Sequence, residues 1–169
     1  PQKAVTKKLS ARVDYYVYFY FVCLSLLRPE GSFCFITSNS WLDARYGAAL
    51  QEFFLKFCNV RKVIDNAVER SFANADVNTV IVVLSSPRGE TEAPLEASAR
   101  FVTMRVPFGQ ILKPARAFEQ IDAADCRGST DEYRVHPISQ GDLLKSGANY
   151  SEPKGGHRSS VEDYRGDKW

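Results

Sequence analysis

The sequence predicts an α/β fold in which short buried strands alternate with helices. Three apolar runs, residues 32–37, 60–65 and 78–84, have the length and the aromatic or β-branched content of buried strands. Apolar residues recur at helical spacing across 46–58, between the first two of these strands. A strand, a helix and a strand in that order form the crossover unit of a parallel sheet, so we expect such a sheet in the first half.

The first helix is predicted over residues 11–27. This segment is apolar on nearly every face, which is typical of a helix covered on several sides. Its aromatic content leaves a strand as the alternative, and its length favours the helix. The apolar run inside it has thirteen residues, fewer than the roughly 20 that span a bilayer. Pro29 and Gly31 then predict a stop and a turn before a fully buried strand.

The second half predicts a linker followed by an irregular mixed segment. Residues 85–98 are rich in Pro, Glu, Ser and Ala and have no periodicity, which is typical of a linker. The elements predicted after it are a strand at 101–106, a helix at 108–122, a strand at 133–138 and a helix at 140–145 capped by Ser139. We therefore expect two units, residues 1–88 and residues 89–169.

Charge and cysteine content indicate a cytosolic protein without a disulfide framework. Residues 1–88 hold eleven Lys and Arg against seven acidic residues, whereas the whole chain has a formal charge of +2. Cys23, Cys34 and Cys58 lie in apolar runs, where a thiol behaves as a small hydrophobe. The cysteine spacing matches no metal motif, so no metal site is predicted. Because the chain opens on Pro1, we expect an excised fragment or a processed product.

Polar residues directly after the predicted strands are the candidates for ligand contact. In open parallel sheets, ligands bind beyond the carboxyl ends of the strands. Asn39 and Ser40 follow the first strand and Arg45 comes shortly after, a composition that suits contact with a phosphate backbone or a base. The alternative, which the residue types alone favour, is that these residues end the strand and cap a helix while Trp41 packs beneath them.

Phe72 is the one large aromatic residue in the polar loop between the second and third predicted strands. Its ring either packs under the loop or is presented to a partner. The chain contains no phosphate-binding glycine loop, no Cys-x-x-Cys pair and no His-Glu-x-x-His motif. The sequence therefore predicts no independent catalytic site.

Four short motifs follow one another in the first half of the chain. They are LLRPEG (26–31), where a helix turns, ITSNSW (36–41), where a strand ends, YGAALQEFF (46–54), which begins a helix, and Phe72 followed by Thr79 and VIVVL (80–84). In this order and at these intervals, residues 14–84 resemble the second half of the catalytic domain of gamma-class DNA adenine methyltransferases. The resemblance is closest to the type IIG restriction–modification enzymes.

The resemblance implies a partial Rossmann-like sheet of an S-adenosylmethionine-dependent methyltransferase, with three strands and two helices. By analogy, the strand at 78–84 should lie between the other two and run antiparallel to them. These enzymes flip the target adenine out of the duplex and methylate its exocyclic amine. Phe72 holds the position of the residue that packs against the flipped base, and such stacking contributes about 1–3 kcal/mol.

Other roles implied by the resemblance concern the cofactor and the catalytic groups. Tyr16 and Phe19 occupy positions that would touch the adenine of S-adenosylmethionine, with packing in the core as the alternative. The family's glycine-rich cofactor loop and its catalytic Asn-Pro-Pro-Tyr segment do not occur in this sequence. No catalytic residue is therefore predicted, and we expect the chain alone to be inactive.

The parent protein is expected to be an adenine-specific methyltransferase of a bacterial restriction–modification system. It would act on double-stranded DNA in the cytoplasm, at the nucleoid, without membrane contact. Residues 133–144 and the closing GDKW resemble the segment that leads into a target-recognition domain. The alternative is a non-catalytic DNA- or protein-binding module that docks through its positively charged half. Unpaired strand edges also predict self-association.

Overall fold

A computed structural model describes most of the chain. The described residues are 13–44, 46–69, 71–72, 76–86, 95–111, 116–149, Gly166 and Trp169. Their helices are α1 (Tyr15–Ser25), α2 (Gly47–Phe57), α3 (Phe108–Ile111), α4 (Arg116–Ala123) and α5 (Gln140–Asn149), with a short 3-10 helix at Asn39–Leu42. Their strands are β1 (Ser32–Ser38), β2 (Asn59–Asn66), β3 (Thr79–Ser85), β4 (Ser98–Met104), β5 (Gly128–Ser129) and β6 (Tyr133–Ser139). The predicted α/β class is confirmed.

The six described strands form one sheet in the order β1-β3-β2-β4-β6-β5. β3 lies between β1 and β2 and is antiparallel to both, which confirms the expected order of these three strands. β1 and β2 therefore point the same way but do not pair with each other. The parallel direction expected for β1 and β2 is confirmed, but the sheet around them is mixed instead of parallel, because β3 occupies the place between them. β2 does pair in parallel, but with β4.

The sheet continues into the second half of the chain. β4 pairs with β2, and β6 pairs with β4, so both add to the sheet that β1, β2 and β3 begin. The irregular mixed segment expected after residue 88 is therefore wrong for the described part of 95–149. The strand patterns at 101–106 and 133–138 are visible in the sequence, but pairing between distant segments leaves no local signal. The division at residue 88 stays a prediction, and the centre of the predicted linker, 87–94, lies outside the described residues.

The helices of the second half follow the prediction in part. The single helix expected at 108–122 is found as α3 and α4, with residues 112–115 outside the described part. The predicted cap of α5 is confirmed, since Ser139 Oγ accepts a hydrogen bond from the backbone N–H of Asp142 at 3.0 Å.

Two hydrophobic cores cover the two faces of the sheet. The larger core packs α1, α2 and α5 against one face, and the smaller core packs α3 and α4 against the other. Tyr20, which is fully buried, lies in the middle of the larger core. Its ring contacts four others edge-on, with centroids 5.0–6.5 Å apart: Phe33, Phe35, Trp41 and Phe54. Edge-to-face contacts of this kind stabilise a core beyond the area that they bury.

Among the described residues, α1 is covered on one side only. The side chains that point outward are 45–85% exposed: Tyr15, Tyr18, Phe19, Val22 and Leu26. The expectation of a helix covered on several sides is therefore wrong here, because a helix that is apolar all round does not reveal which faces have neighbours. β1 was likewise expected to be fully buried, yet Cys34 is exposed on this outer strand. No helix in the described part of the chain is long and apolar enough to cross a membrane.

Gln140 joins the second half of the chain to the first. Its side chain is fully buried. Gln140 Oε1 accepts from the backbone N–H of Val60 at 2.6 Å, and Nε2 donates to the carbonyls of Leu55 at 3.3 Å and Cys58 at 3.1 Å. These three backbone groups lie where α2 ends and β2 begins. A buried polar group without a partner costs about 1–3 kcal/mol, so Gln140 stabilises this junction.

The substitution Gln140→Leu is expected to lower the free energy of unfolding by about 2–4 kcal/mol, since it leaves the buried backbone groups without partners. Chemical denaturation measures the change. Gln110→Leu, the same substitution at an exposed glutamine in α3, should change the stability by less than about 0.5 kcal/mol. Equal effects of the two substitutions would contradict the role of Gln140.

Cys58 predicts a loss of stability at alkaline pH. Burial raises the pKa of its thiol to about 12, whereas a thiol in the unfolded chain has a pKa of about 8.5. The folded state therefore keeps a proton that the unfolded state releases. The resulting stability is complete below the unfolded pKa and is lost as the pH rises through this window, by up to about 1.4 kcal/mol per pH unit.

The test compares urea denaturation of the protein and of Cys58→Ala at pH 8 and pH 10. We expect the loss of stability between the two pH values to be smaller in the variant, which has no thiol at this position. An identical loss in both proteins would show that other groups cause the pH dependence.

Candidate functional site

Polar segments meet at one end of the sheet. β1 and β2 are both antiparallel to β3, so the carboxyl ends of β1 and β2 lie beside the amino end of β3. The register places Ser38 opposite Thr79 and Asp65 opposite Val80. Residues that follow β1 and β2 therefore come together with those that precede β3.

An open cavity of about 660 Å³ lies at this end of the sheet. Three tripeptides line it, residues 14–16 at the start of α1, residues 38–40 after β1, and residues 76–78 before β3. They supply hydroxyl, amide and carboxylate groups together with two tyrosine rings. The volume falls within the range of about 300–1,000 Å³ typical of small-molecule sites. Donors and acceptors beside aromatic rings suit a planar polar ligand such as a nucleobase.

Asn39 and Ser40, which were predicted to contact DNA, lie on the wall of this cavity. The backbone N–H of Asn39 donates to the carbonyl of Asn78 at 3.0 Å, which joins the turn after β1 to the segment before β3. Ser38 Oγ accepts from the backbone N–H of Ser40 at 3.3 Å and lies 2.7 Å from Ser40 Oγ. The turn is thus held by its own polar side chains, and Ser40 remains exposed.

Trp41 forms the floor beneath this turn. Its side chain is fully buried, in agreement with the alternative in which it packs under the polar segment. Gln51 Nε2 donates to the carbonyl of Leu42 at 3.2 Å and lies 3.5 Å from that of Trp41. A Cβ on Gly47 would lie 1.8 Å from the Trp41 carbonyl oxygen, so only glycine allows α2 to begin this close to the turn. In this segment, Trp41 is therefore packed in the core while Ser40 remains exposed on the cavity wall.

Two tyrosines and a carboxylate form a cluster at the side of the cavity. Tyr16 Oη lies 2.8 Å from Tyr46 Oη, and Tyr46 Oη donates to Asp14 Oδ2 at 3.3 Å. Burial raises the pKa of Tyr16 well above its usual range, and burial also raises that of Tyr46. Both hydroxyls therefore keep their protons at neutral pH and act as hydrogen-bond donors.

Phe72 lies in the loop between β2 and β3 and does not line the cavity. Its side chain is 49% exposed. The hydroxyls of Ser71 and Thr79 are 2.6 Å apart and attach this part of the loop to the first residue of β3. At the other end of the loop, Asn66 Oδ1 accepts from the backbone N–H groups of Val68 and Glu69 at 2.9 and 3.2 Å, which forms a turn directly after β2. The role of Phe72 as a base platform stays a prediction.

The other predicted site residues are only partly brought together. Tyr16, a candidate for cofactor contact, lines the cavity, whereas Phe19, the second candidate, lies outside the lining and is 57% exposed on the next turn of α1. Arg45, a candidate for DNA contact, lies outside the described residues. In the part of the chain that the structure describes, no group of three His, Cys, Asp or Glu side chains is arranged to hold a metal ion.

Several residues of the cavity wall were missed from the sequence, among them Asp14, Asp76 and Asn78. Asp76 and Asn78 precede a strand instead of following one, and the rule that ligands bind at carboxyl ends passes over them. Because β3 runs antiparallel to β1, it contributes residues to the cavity from its amino end instead of its carboxyl end. The signal that could have found them is the expectation, already made, that this strand runs antiparallel.

The sequence has relatives among restriction–modification proteins. Residues 2–72 match the family model described as "Eco57I restriction-modification methylase". Over 113 residues, 66% of this chain, the sequence is 27% identical to the Type II methyltransferase M.XhoI of Xanthomonas vasicola. The aligned part covers 21% of that protein, so the chain spans about one fifth of the curated relative that it matches.

Solved structures of the same group share the fold. The type IIG restriction endonuclease BpuSI superimposes with a TM-score of 0.60 at 14% identity, covering 80% of this chain and 15% of that one. The M protein of the type I restriction enzyme EcoKI superimposes with a TM-score of 0.56 at 10% identity, covering 79% of this chain and 35% of that one. At such identities the similarity concerns the fold alone. The resemblance indicated by the four sequence motifs is therefore confirmed, because this chain is similar in sequence to restriction–modification methylases and shares its fold with solved proteins of restriction systems.

Proposed function

We propose that this chain is part of an adenine-specific DNA methyltransferase that transfers a methyl group from S-adenosylmethionine to the exocyclic amine of a flipped adenine. The observation that carries the proposal is Phe72, a half-exposed ring in a loop at the same end of the sheet as the polar cavity. An aromatic ring left in water loses the gain of burial. Stacking against a base, which has an exposed π-face, would recover about 1–3 kcal/mol.

The cavity supports the proposal through its chemistry. Asn39 and Asn78 each carry one amide oxygen and one amide nitrogen, the pair of groups that reads the donor and acceptor edge of a base. A flipped base held against Phe72 would present that edge toward the end of the sheet. The contribution of this chain would be to bind and orient the base, since the sequence contains no Asn-Pro-Pro-Tyr segment. The isolated chain is then inactive.

S-adenosylmethionine supplies the methyl group from a positively charged sulfonium. Tyr16 and Phe19 are the residues of this chain proposed to contact it. Tyr16 lies on the cavity wall beside the carboxylate of Asp14, and Phe19 keeps an exposed ring face on the following turn. Aromatic faces and carboxylates both attract a cation, so the group fits the residues present.

Two further proposals concern contact with DNA and self-association of the chain. Ser40 is exposed at the rim, where a hydroxyl can donate to a phosphate. Asn39 and Arg45 are proposed as further contacts to DNA. Such an enzyme acts on double-stranded DNA, so we place it in the bacterial cytoplasm at the nucleoid. Among the described strands, β1 pairs on one side only, which makes its other edge a candidate for self-association.

Phe72→Leu in the full-length protein that carries this chain is expected to slow methyl transfer to adenine about tenfold to a hundredfold, because the loss of stacking removes about 1–3 kcal/mol. Transfer of the labelled methyl group to duplex DNA measures the rate. Fluorescence of 2-aminopurine at the target position reports base flipping. Phe72→Trp should retain most of the activity, and Val68→Ala, at another exposed position of the same loop, should have little effect.

Two results would contradict the proposal. Full-length protein that binds DNA but methylates no adenine would favour a non-catalytic binding module. Normal flipping by Phe72→Leu together with a large fall in unfolding free energy would assign Phe72 to packing under the loop.

The bond between Ser71 and Thr79 is proposed to hold Phe72 in place. Thr79→Val keeps the shape of the side chain and removes the hydroxyl, so it should loosen the loop at a cost of about 1 kcal/mol in stability. Limited digestion with chymotrypsin should then cleave after Phe72 faster than in the unmodified protein. Thr103→Val, at the end of β4, serves as the matched control. Equal cleavage rates in the two variants would contradict this anchoring role.

A further inference from the structure

We propose that Tyr46 is a positioning residue, whose hydroxyl holds two walls of the cavity at a fixed separation. Tyr46 does not line the cavity itself. Its hydroxyl instead forms hydrogen bonds with two residues that do, Asp14 and Tyr16 from the start of α1, while its backbone directly precedes Gly47, which lies close to Trp41 in the turn after β1. For the reaction of this site, the inference rests on the proposed function.

The direction of the hydrogen bonds in this cluster can be assigned. Tyr46 has one proton, and the geometry directs it to Asp14 Oδ2 at 3.3 Å. The hydroxyl of Tyr16, 2.8 Å away, must then donate to the oxygen of Tyr46. Burial raises the pKa of Tyr46, and the hydrogen bond from Tyr16 lowers it. The order of donation is therefore Tyr16 to Tyr46 to Asp14.

These hydrogen bonds connect the start of α1 with the segment that follows β1. Deeper in the core, α1 and β1 are joined by a separate contact. Tyr20 Oη lies 3.2 Å from Thr37 Oγ1 and fastens the second turn of α1 to β1 within the core. The first turn of α1 projects past the end of β1, where residues 14–16 form one cavity wall. Tyr46 connects this projecting turn to the turn after β1. Without the Tyr46 hydroxyl, α1 and β1 would remain packed in the core, but the hydrogen bonds at the mouth of the cavity would be lost.

The position of Tyr46 is itself constrained. It directly precedes Gly47, which lies so close to the turn that a Cβ there would come within 1.8 Å of the Trp41 carbonyl oxygen. The backbone N–H of Gly47 donates to the carbonyl of Ala44 at 2.8 Å. The ring of Tyr46 is therefore held on a rigid base, and it packs at the border of the larger core. A phenylalanine would preserve this packing and remove the hydroxyl alone.

The test uses Tyr46→Phe in the full-length protein. We expect methyl transfer and the 2-aminopurine signal to fall about tenfold, the effect of losing a hydrogen bond to a charged group. The variant Asp14→Asn should give a similar loss, and the double variant should be little worse than either, because both remove the same link. Tyr18→Phe, which removes an exposed hydroxyl from the outer face of α1, is the matched control and should keep wild-type rates.

Hydrogen–deuterium exchange tests the same inference without the reaction. In Tyr46→Phe the amides of residues 38–42 should exchange faster, while those of β3 remain unchanged. A merely structural role would lower the urea midpoint without altering the kinetics or this local exchange. Wild-type rates and unchanged exchange in Tyr46→Phe would overturn the inference. Absence of methyl transfer in the wild-type protein would overturn the proposed function instead, and the exchange data would still decide the role of Tyr46.

Discussion

The insertion of β3 between β1 and β2 is the constraint on which the rest of the structure depends. β3 is rich in Val and Ile and pairs along both of its edges, so its backbone is satisfied within the sheet. Because it runs antiparallel, its amino end delivers residues 76–78 to the place where β1 ends. The same insertion leaves the far edge of β2 to pair with β4. Both the cavity and the six-stranded sheet follow from the direction of this one strand.

Buried polar side chains then hold the segments that the sheet brings together. Gln140 binds backbone groups at the junction of α2 and β2, and Gln51 binds the carbonyl of Leu42 next to Trp41. Both glutamines are almost completely buried, so each hydrogen bond is costly to break. Gln51 gives the polar rim around Ser40 a rigid floor, whereas Gln140 fixes the opposite end of the sheet, where Val60 pairs with Leu84. A base or a phosphate bound at such a rim meets groups that are already in place, which reduces the entropy lost on binding.

The elements with clear periodicity could be predicted, because local spacing decides them. The spacing in 46–58 marks α2, and the apolar runs mark β1, β2 and β3 within one residue of their ends. The extension of the sheet through β4 and β6 could not be predicted, since strand pairing depends on partners far away in the chain. Part of the cavity lining was named from the sequence, namely Asn39, Ser40 and Tyr16. Asp76 and Asn78 were not, because they reach the cavity only through the pairing of β3 with β1.

The sequence by itself determined the α/β class, the relation to restriction–modification methyltransferases and the singular position of Phe72 among polar residues. These features depend on residue type and on spacing along the chain, which are local properties. Only the tertiary structure decided that the second half belongs to the sheet, that α1 leaves one apolar face uncovered among the described residues, and that the Tyr46 hydroxyl lies beside Tyr16 and Asp14. Each of these depends on groups that come together from distant parts of the chain. Hydrophobic burial and hydrogen bonding depend on which groups are close in space, and not on which are close in sequence.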